Sequence, residues 1–237
     1  MIDLVIIVSI CIAFAILAIK FRILDHGGTV SAVIIGGIIL FSQGIRWFLL
    51  LLIFLILGVI ATKYKENVKR KRLRERASRK AGNVIANGLI PAFLAALSMK
   101  YDFSALFVAA IAVALADTFA SELGVLSDNA YLIINLKKVE PGTNGAISLL
   151  GESVALLGAF IISFLGFFLL NLTIYESILC ILLGLFGCHI DSLLGATFQG
   201  RYKGNIRGED TILTNNDVNL ISIAITTLVA FIIIEAI

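Results

Sequence analysis

The sequence predicts an all-α, polytopic transmembrane helix bundle, and three observations carry that prediction. Hydrophobic residues make up 59% of the 237 and charged residues only 15%. Mean hydropathy is +1.03. The apolar residues fall in long runs, and an apolar run of about 20 residues spans a bilayer as a helix. In lipid only helices and closed barrels satisfy every backbone group. These runs are too long, and too continuously apolar, for the alternating strands of a barrel.

Eight hydrophobic segments follow one another: residues 2–19, 29–42, 45–62, 83–99, 103–121, 146–170, 174–196 and 218–236. The first carries Asp3, lacks a basic start and shows no small-residue cleavage site, so it reads as a span rather than a signal peptide. The second is short, with Gly27 and Gly28 before it and Gly36 and Gly37 within it. It reads as a tilted or partial span. The stretch from Lys63 to Lys80 holds ten Lys and Arg residues, and the positive-inside rule makes it cytoplasmic. Counting outward places Lys20, Arg22, Lys137, Lys138, Arg201, Lys203 and Arg207 on the same side. Of the 19 basic residues only Arg46 and Lys100 fall outside. Both termini are then outside. Residues 1–237 form one membrane domain, with 63–80 as a basic cytoplasmic stretch. Cys11, Cys180 and Cys188 lie in apolar segments without CxxC spacing and read as packing residues. The net charge of +3 resides in the loops and gives no reason to expect nucleic acid.

Polar stripes mark where chemistry is concentrated, because a charged group in a membrane helix is costly and usually faces a cavity or a partner. ALADTFASELG puts Asp117, Thr118, Ser121 and Glu122 on one helical face. CHIDSLLGATFQG does the same for Asp191, Ser192, Gly195 and Gln199, where Gly195 permits a close approach. PGTNGAISLLGES aligns Asn144, Ser148 and Glu152. GNVIANG sets Asn83 and Asn87 one turn apart. All four stripes occupy the predicted cytoplasmic ends of their segments. Plainer readings stand beside these. Asp25 and Glu209 read as solvated helix caps, and Glu152 has the alternative of pairing with Lys or Asn in the bundle. His189 lies about 200° around its helix from Asp191 and reads as packing elsewhere. The basic stretch is first a topology signal, with lipid headgroups or an anionic substrate as secondary partners.

Clustered carboxylates beside Asn, Ser, Thr and basic loops suit Mg²⁺ holding phosphate groups. The Gly142-Thr143-Asn144-Gly145 turn can wrap a phosphate, and helix N-termini at this end attract anions. No Walker or protein-kinase signature is present, and two histidines offer no Ser/His/Asp arrangement. Residues alone reach polyprenyl or phospholipid phosphate chemistry.

The strings ADTFASELG, PGTNGAISLLGE and DSLLGATFQG, in this order, resemble the integral-membrane phytyl-phosphate kinase family, from about residue 20 to the C-terminus. That family is distantly similar to dolichol kinases and CDP-diacylglycerol synthases. The resemblance implies a CTP-dependent kinase, a phosphotransferase of isoprenoid metabolism that converts a prenyl monophosphate of geranylgeranyl or phytyl type to the diphosphate. It carries over Asp117, Thr118, Ser121 and Glu122, then Gly142, Thr143, Asn144, Gly145 and Ser148, then Asp191, Ser192 and Gln199. The expected roles are catalysis by Asp117, Glu122 and Asp191, which with Glu152 hold Mg²⁺. Asn83, Asn87, Lys137, Arg201 and Lys203 are expected to join the substrate and nucleotide contacts. The partners are then a prenyl monophosphate, a nucleoside triphosphate and membrane lipids, with homo-oligomerisation left open. The location is the plasma membrane, with the site facing the cytoplasm. A lipid-phosphate cytidylyltransferase uses the same inventory and stays open. A transporter fits less well, since its polar groups would sit near the midplane on broken, repeated helices.

Topology is directly testable. Cysteines introduced near Arg74 and Gly208 should resist an impermeant thiol reagent in intact cells, while one beside Tyr101 should react. Labelling near Arg74 from outside would overturn the map.

Overall fold

The computed structural model describes residues 3–73, 81–199 and 212–235. All eight apolar segments are helical within it. Helices α1 (Leu4–Lys20), α2 (His26–Gln43) and α3 (Ile45–Lys63) come first, and the basic stretch then forms a short α4 (Glu66–Leu73). Four more apolar helices follow: α5 (Ala81–Leu97), α6 (Ser104–Gly124), α7 (Leu149–Leu169) and α8 (Ile174–Phe198). The last helix is α9 (Asn215–Glu235). Six of these, α2, α3 and α6 to α9, are long and apolar enough to cross a membrane. Helices α1 and α5 have 17 residues each. Gly27 and Gly28 belong to the first turn of α2, which makes that helix 18 residues long rather than a partial span.

Helix ends follow local chemistry. Asp25 caps α2, its carboxylate accepting from the Gly28 N–H at 2.6 Å, in line with its reading as a cap. Thr173 and Glu176 form a reciprocal capping box on α8. Glu209 lies outside the described residues.

Helix α6 is the axis of the bundle. Every residue from Ala105 to Ala116 is buried, and much of that run is alanine. Small residues allow helices to approach closely where lipid supplies no hydrophobic drive for association. On α7, Gly151, Gly158 and Gly166 recur about every two turns along the face against α6. A Cβ on Gly158 would meet the Leu115 carbonyl at 3.0 Å. Helix α8 enters the same contact at Gly184, where a Cβ would lie 2.7 Å from that of Ala159 and 3.3 Å from that of Ala112.

Between α6 and α7 the all-helical expectation needs one addition. Residues 130–147 form a small antiparallel sheet, β1 (Ala130–Leu132), β2 (Lys138–Val139) and β3 (Ala146–Ile147), in the order β2-β1-β3. Tyr131 pairs with both Lys138 and Ile147. The helix expected from residue 146 begins at Leu149, behind a Ser148 cap. The apolar character of Ala146 and Ile147 belongs to a strand edge, which hydropathy alone does not separate from a helix start.

Helix α8 offers a test of the close-packed axis. Gly184→Leu should force α8 away from α6 and α7 and lower stability by about 1–3 kcal/mol. Leu182→Ala, at an exposed position of the same helix, should stay within about 0.5 kcal/mol. Thermal unfolding in detergent measures both.

Candidate functional site

At the end of the bundle that carries α4, the ends of α6 to α9 and the 141–148 loop enclose a cavity of about 290 Å³. The polar stripes of α6 and α8 meet there. Asp117, Ser121 and Glu122 come from α6, Asp191 and Ser192 from α8, and Gln199 from its C-cap. The loop contributes Gly142, Thr143, Asn144, Gly145 and Ser148, and Glu152 stands in the first turn of α7.

Two carboxylates form the core of the site. The Asp117 and Asp191 side chains face each other across the same cavity. Adjacent like charges repel, so such a pair favours a cation beside it. Asp191 is buried at 9% exposure, and α9 holds its outer oxygen. Ser222 Oγ donates to Asp191 Oδ2 at 3.2 Å. The Asn219 amide, turned to donate, lies 3.3 Å from the same atom. Asn215, one turn before Asn219, lines the cavity. The four polar stripes singled out in the sequence do not include α9, although its signal is legible there. Asn215, Asn219, Ser222 and Thr226 step by four, three and four residues along NNDVNLISIAITT, which is one helical face.

The loop closes on this pair by tight packing. Gly145 adopts φ +71°, and a Cβ there would strike Ala196 Cβ at 2.4 Å and Ser192 O at 2.5 Å. Gly195 faces the same loop, 3.2 Å from the Gly145 nitrogen at its own Cβ position. The close approach expected at Gly195 is therefore made by the Gly142–Gly145 turn itself. Ser148 has a structural duty as well, since its hydroxyl accepts from the Gly151 N–H at 3.0 Å.

The other two expected metal carboxylates have different partners. Glu122 is gripped on both oxygens. Lys69 Nζ donates to Oε2 at 2.6 Å, and Thr62 Oγ1 donates to Oε1 at 2.9 Å. The same ammonium donates to the carbonyls of Ala61 and Thr62 at 2.8 and 2.6 Å. One lysine of the basic stretch is thus turned inward, capping α3 and neutralising Glu122. Glu152 lies 3.3 Å from His189 Nε2, a partner other than the Lys or Asn expected for it. His189 packs beside α7 and hands Nδ1 to the Leu185 carbonyl at 2.8 Å. Among the described residues no three His, Cys, Asp or Glu side chains gather around one metal position. Asp117 and Asp191 thus face each other, while Glu122 and Glu152, the other two carboxylates expected to hold Mg²⁺, make these contacts and still line the cavity.

Several expected contacts lie elsewhere. Asn83 and Asn87 line a separate, mostly apolar cavity with Phe14, Ile35 and Phe54, because the inner face of α5 turns toward α2 and α3. Thr118 is buried and off the cavity wall. Lys137 is exposed after the β1–β2 turn. Arg201, Lys203 and Arg207 lie outside the described residues.

The model of the family described as integral membrane protein DUF92 matches residues 9–227. An uncharacterized membrane protein of Methanocaldococcus jannaschii is 37% identical over 220 residues, covering 91% of this chain and 87% of that protein. The chloroplastic protein VTE6 of Arabidopsis thaliana is 31% identical over 222 residues, covering 87% of this chain and 64% of its own. Protein PGR of the same plant is 30% identical over 269 residues, covering 94% and 92%. No solved structure matches.

The Lys69 contact yields a measurable coupling. Lys69→Met should cost about 1–3 kcal/mol, since it strands Glu122 and two helix carbonyls. The Lys69→Met/Glu122→Gln double variant should lose less than the sum of the two single variants. Equal additivity in thermal unfolding would show that the two side chains do not interact.

Proposed function

The chain belongs to the integral membrane family DUF92, and on that footing we propose that it is a prenyl-phosphate kinase. It transfers the γ-phosphoryl group of a nucleoside triphosphate, CTP by the motif resemblance, to a prenyl monophosphate of geranylgeranyl or phytyl type. The reaction takes place at the cytoplasmic face of the plasma membrane. The observation that carries the reading is the Asp117–Asp191 pair inside a polar cavity at one end of an apolar bundle. Similarity to the chloroplastic protein VTE6 and the three motifs support the same class.

The residues suit Mg²⁺, which typically takes one or two carboxylates and completes its shell with substrate phosphates and water. Asp117 and Asp191 would hold it, and when bound it supplies charge neutralisation for the transferring phosphoryl group. Ser222 and Asn219 fix the rotamer of Asp191 from behind. The Gly142–Gly145 turn and the start of α7 offer backbone donors to phosphate oxygens. No Lys or Arg is among the described residues of the cavity wall. Arg201 and Lys203 follow closely after Gln199 in the chain and are the proposed cations for the developing charge.

A phosphate monoester has a second pKa near 6 and presents an anionic oxygen at neutral pH without help. Positioning and charge neutralisation then dominate over general-base work. The prenyl tail stays in the hydrocarbon layer while its phosphate reaches the cavity.

Asp117→Asn and Asp191→Asn should each keep the fold and lose on the order of 10³-fold in turnover, whereas Glu122→Gln and Glu152→Gln should lose far less. Near-normal activity of both Asp variants across a magnesium titration would refute the metal assignment.

The purified protein should phosphorylate geranylgeranyl monophosphate far better than the free alcohol. The rate should fall below about pH 6 as the acceptor is protonated. Product analysis decides the reaction class: a nucleoside diphosphate with prenyl diphosphate supports the kinase, while inorganic diphosphate with a nucleotide-linked lipid identifies a cytidylyltransferase.

A further inference from the structure

The β1–β2 hairpin has an unusual tip for a loop beside a polar cavity. Its strands face two ways. Ala130 is buried against the cavity, while its neighbour Tyr131 and the cross-strand partner Lys138 are exposed. The turn is closed by Leu132 N–H donating to the Lys137 carbonyl at 2.9 Å and by Leu136 N–H donating to Leu132 O at 2.8 Å. Its tip carries two exposed apolar side chains on either side of the polar Asn135. Ile134 is 50% and Leu136 66% exposed. Leu136 has φ 53°, a conformation that turns usually assign to Gly or Asn. Lys137 and Lys138 follow at once, both exposed.

This tip cannot project far from the bundle end. Strand β1 has three residues, so the tip lies within about 10 Å of its root. The Ile133 N–H donates to Gly145 O at 3.0 Å, and Gly145 is seated on Ala196 of α8. The hairpin therefore stays beside the bundle end. The sheet is rooted on α6 and on α7, whose first residue, Leu149, is 85% exposed. Exposed apolar groups flanked by lysines match the boundary between acyl chains and anionic headgroups, where aliphatic stems bury and ammonium groups stay in water.

We propose that this hairpin is a second membrane contact, separate from the spanning helices. Ile134 and Leu136 enter the bilayer interface on the side of the basic stretch, and Lys137 and Lys138 bind anionic lipid headgroups. The expected Lys137 substrate contact is thereby reassigned to lipid. The inference rests on the hairpin and on membrane insertion, not on the proposed reaction.

The test uses the full chain in lipid nanodiscs. Trp47 is the chain's only tryptophan, so Leu136→Trp in a Trp47→Phe background reports from the tip alone. In bilayers containing phosphatidylserine, lipids brominated near the top of their acyl chains should remove most of the emission, and acrylamide should remove little. Lys137→Glu/Lys138→Glu, or a purely zwitterionic bilayer, should restore the emission about two-fold. Emission open to acrylamide and untouched by bromine would overturn the proposal. Shielding from both quenchers that disappears on dilution would place a second copy of the chain on the tip instead, and would equally overturn it. Bromine quenching indifferent to lipid charge and to the two lysines would reject the headgroup contact.

Discussion

Two carboxyl groups held face to face within an apolar bundle are the constraint on which the rest of the structure depends. Asp117 and Asp191 stand on helices whose other faces are hydrocarbon, where unpaired charge is costly. Their placement is tolerable only at a helix end, with donors at hand and room for a cation. Helix α9 supplies the donors through Ser222 and Asn219. The 141–148 loop supplies the enclosure. The close approach of α6, α7 and α8 brings the two carboxyls together.

That approach is made by small residues rather than large ones. Alanines on α6 and the spaced glycines on α7 and α8 let backbones meet, so the polar groups at the bundle end are positioned by rigid helices. The same device continues into the loop, where Gly145 rests directly on α8. A side chain at that position would lift the turn away from Asp191 and open the site. Packing and chemistry are therefore one feature of the chain: the contact that stabilises the bundle also sets the cavity's width.

Four carboxylates near one end of the bundle meet three fates. Asp117 and Asp191 face each other. Glu122 is tied to Lys69 and Thr62 and serves to dock α4 across the ends of α3 and α6. Glu152 joins α7 to α8 through His189. Neighbouring groups rather than residue type therefore sort these side chains. The hairpin shows the same logic on the outside, where Ile134 and Leu136 take their meaning from Lys137 and Lys138 beside them.

The membrane class, the eight apolar helices and the end of the bundle where polar residues collect all follow from the order of residues along the chain. Hydropathy and helical spacing are local properties, and they suffice for those conclusions. Asp117 and Asp191 are legible as candidate site residues because polar groups in an apolar segment are costly unless they face a cavity or a partner. Which stripes meet is a matter of tertiary packing. Asn83 and Asn87 carry the same local signal as Asn215 and Asn219, yet α5 turns its pair toward an apolar cavity and α9 turns its pair toward the Asp191 site. Lys69 is indistinguishable in sequence from its basic neighbours, and only the proximity of Glu122 and the end of α3 draws it inward. The small sheet depends on pairing between strands of two or three residues, too short for a periodic signal. Contacts between distant segments have no local signature, and here they separate the carboxylates that face each other from those that hold the frame.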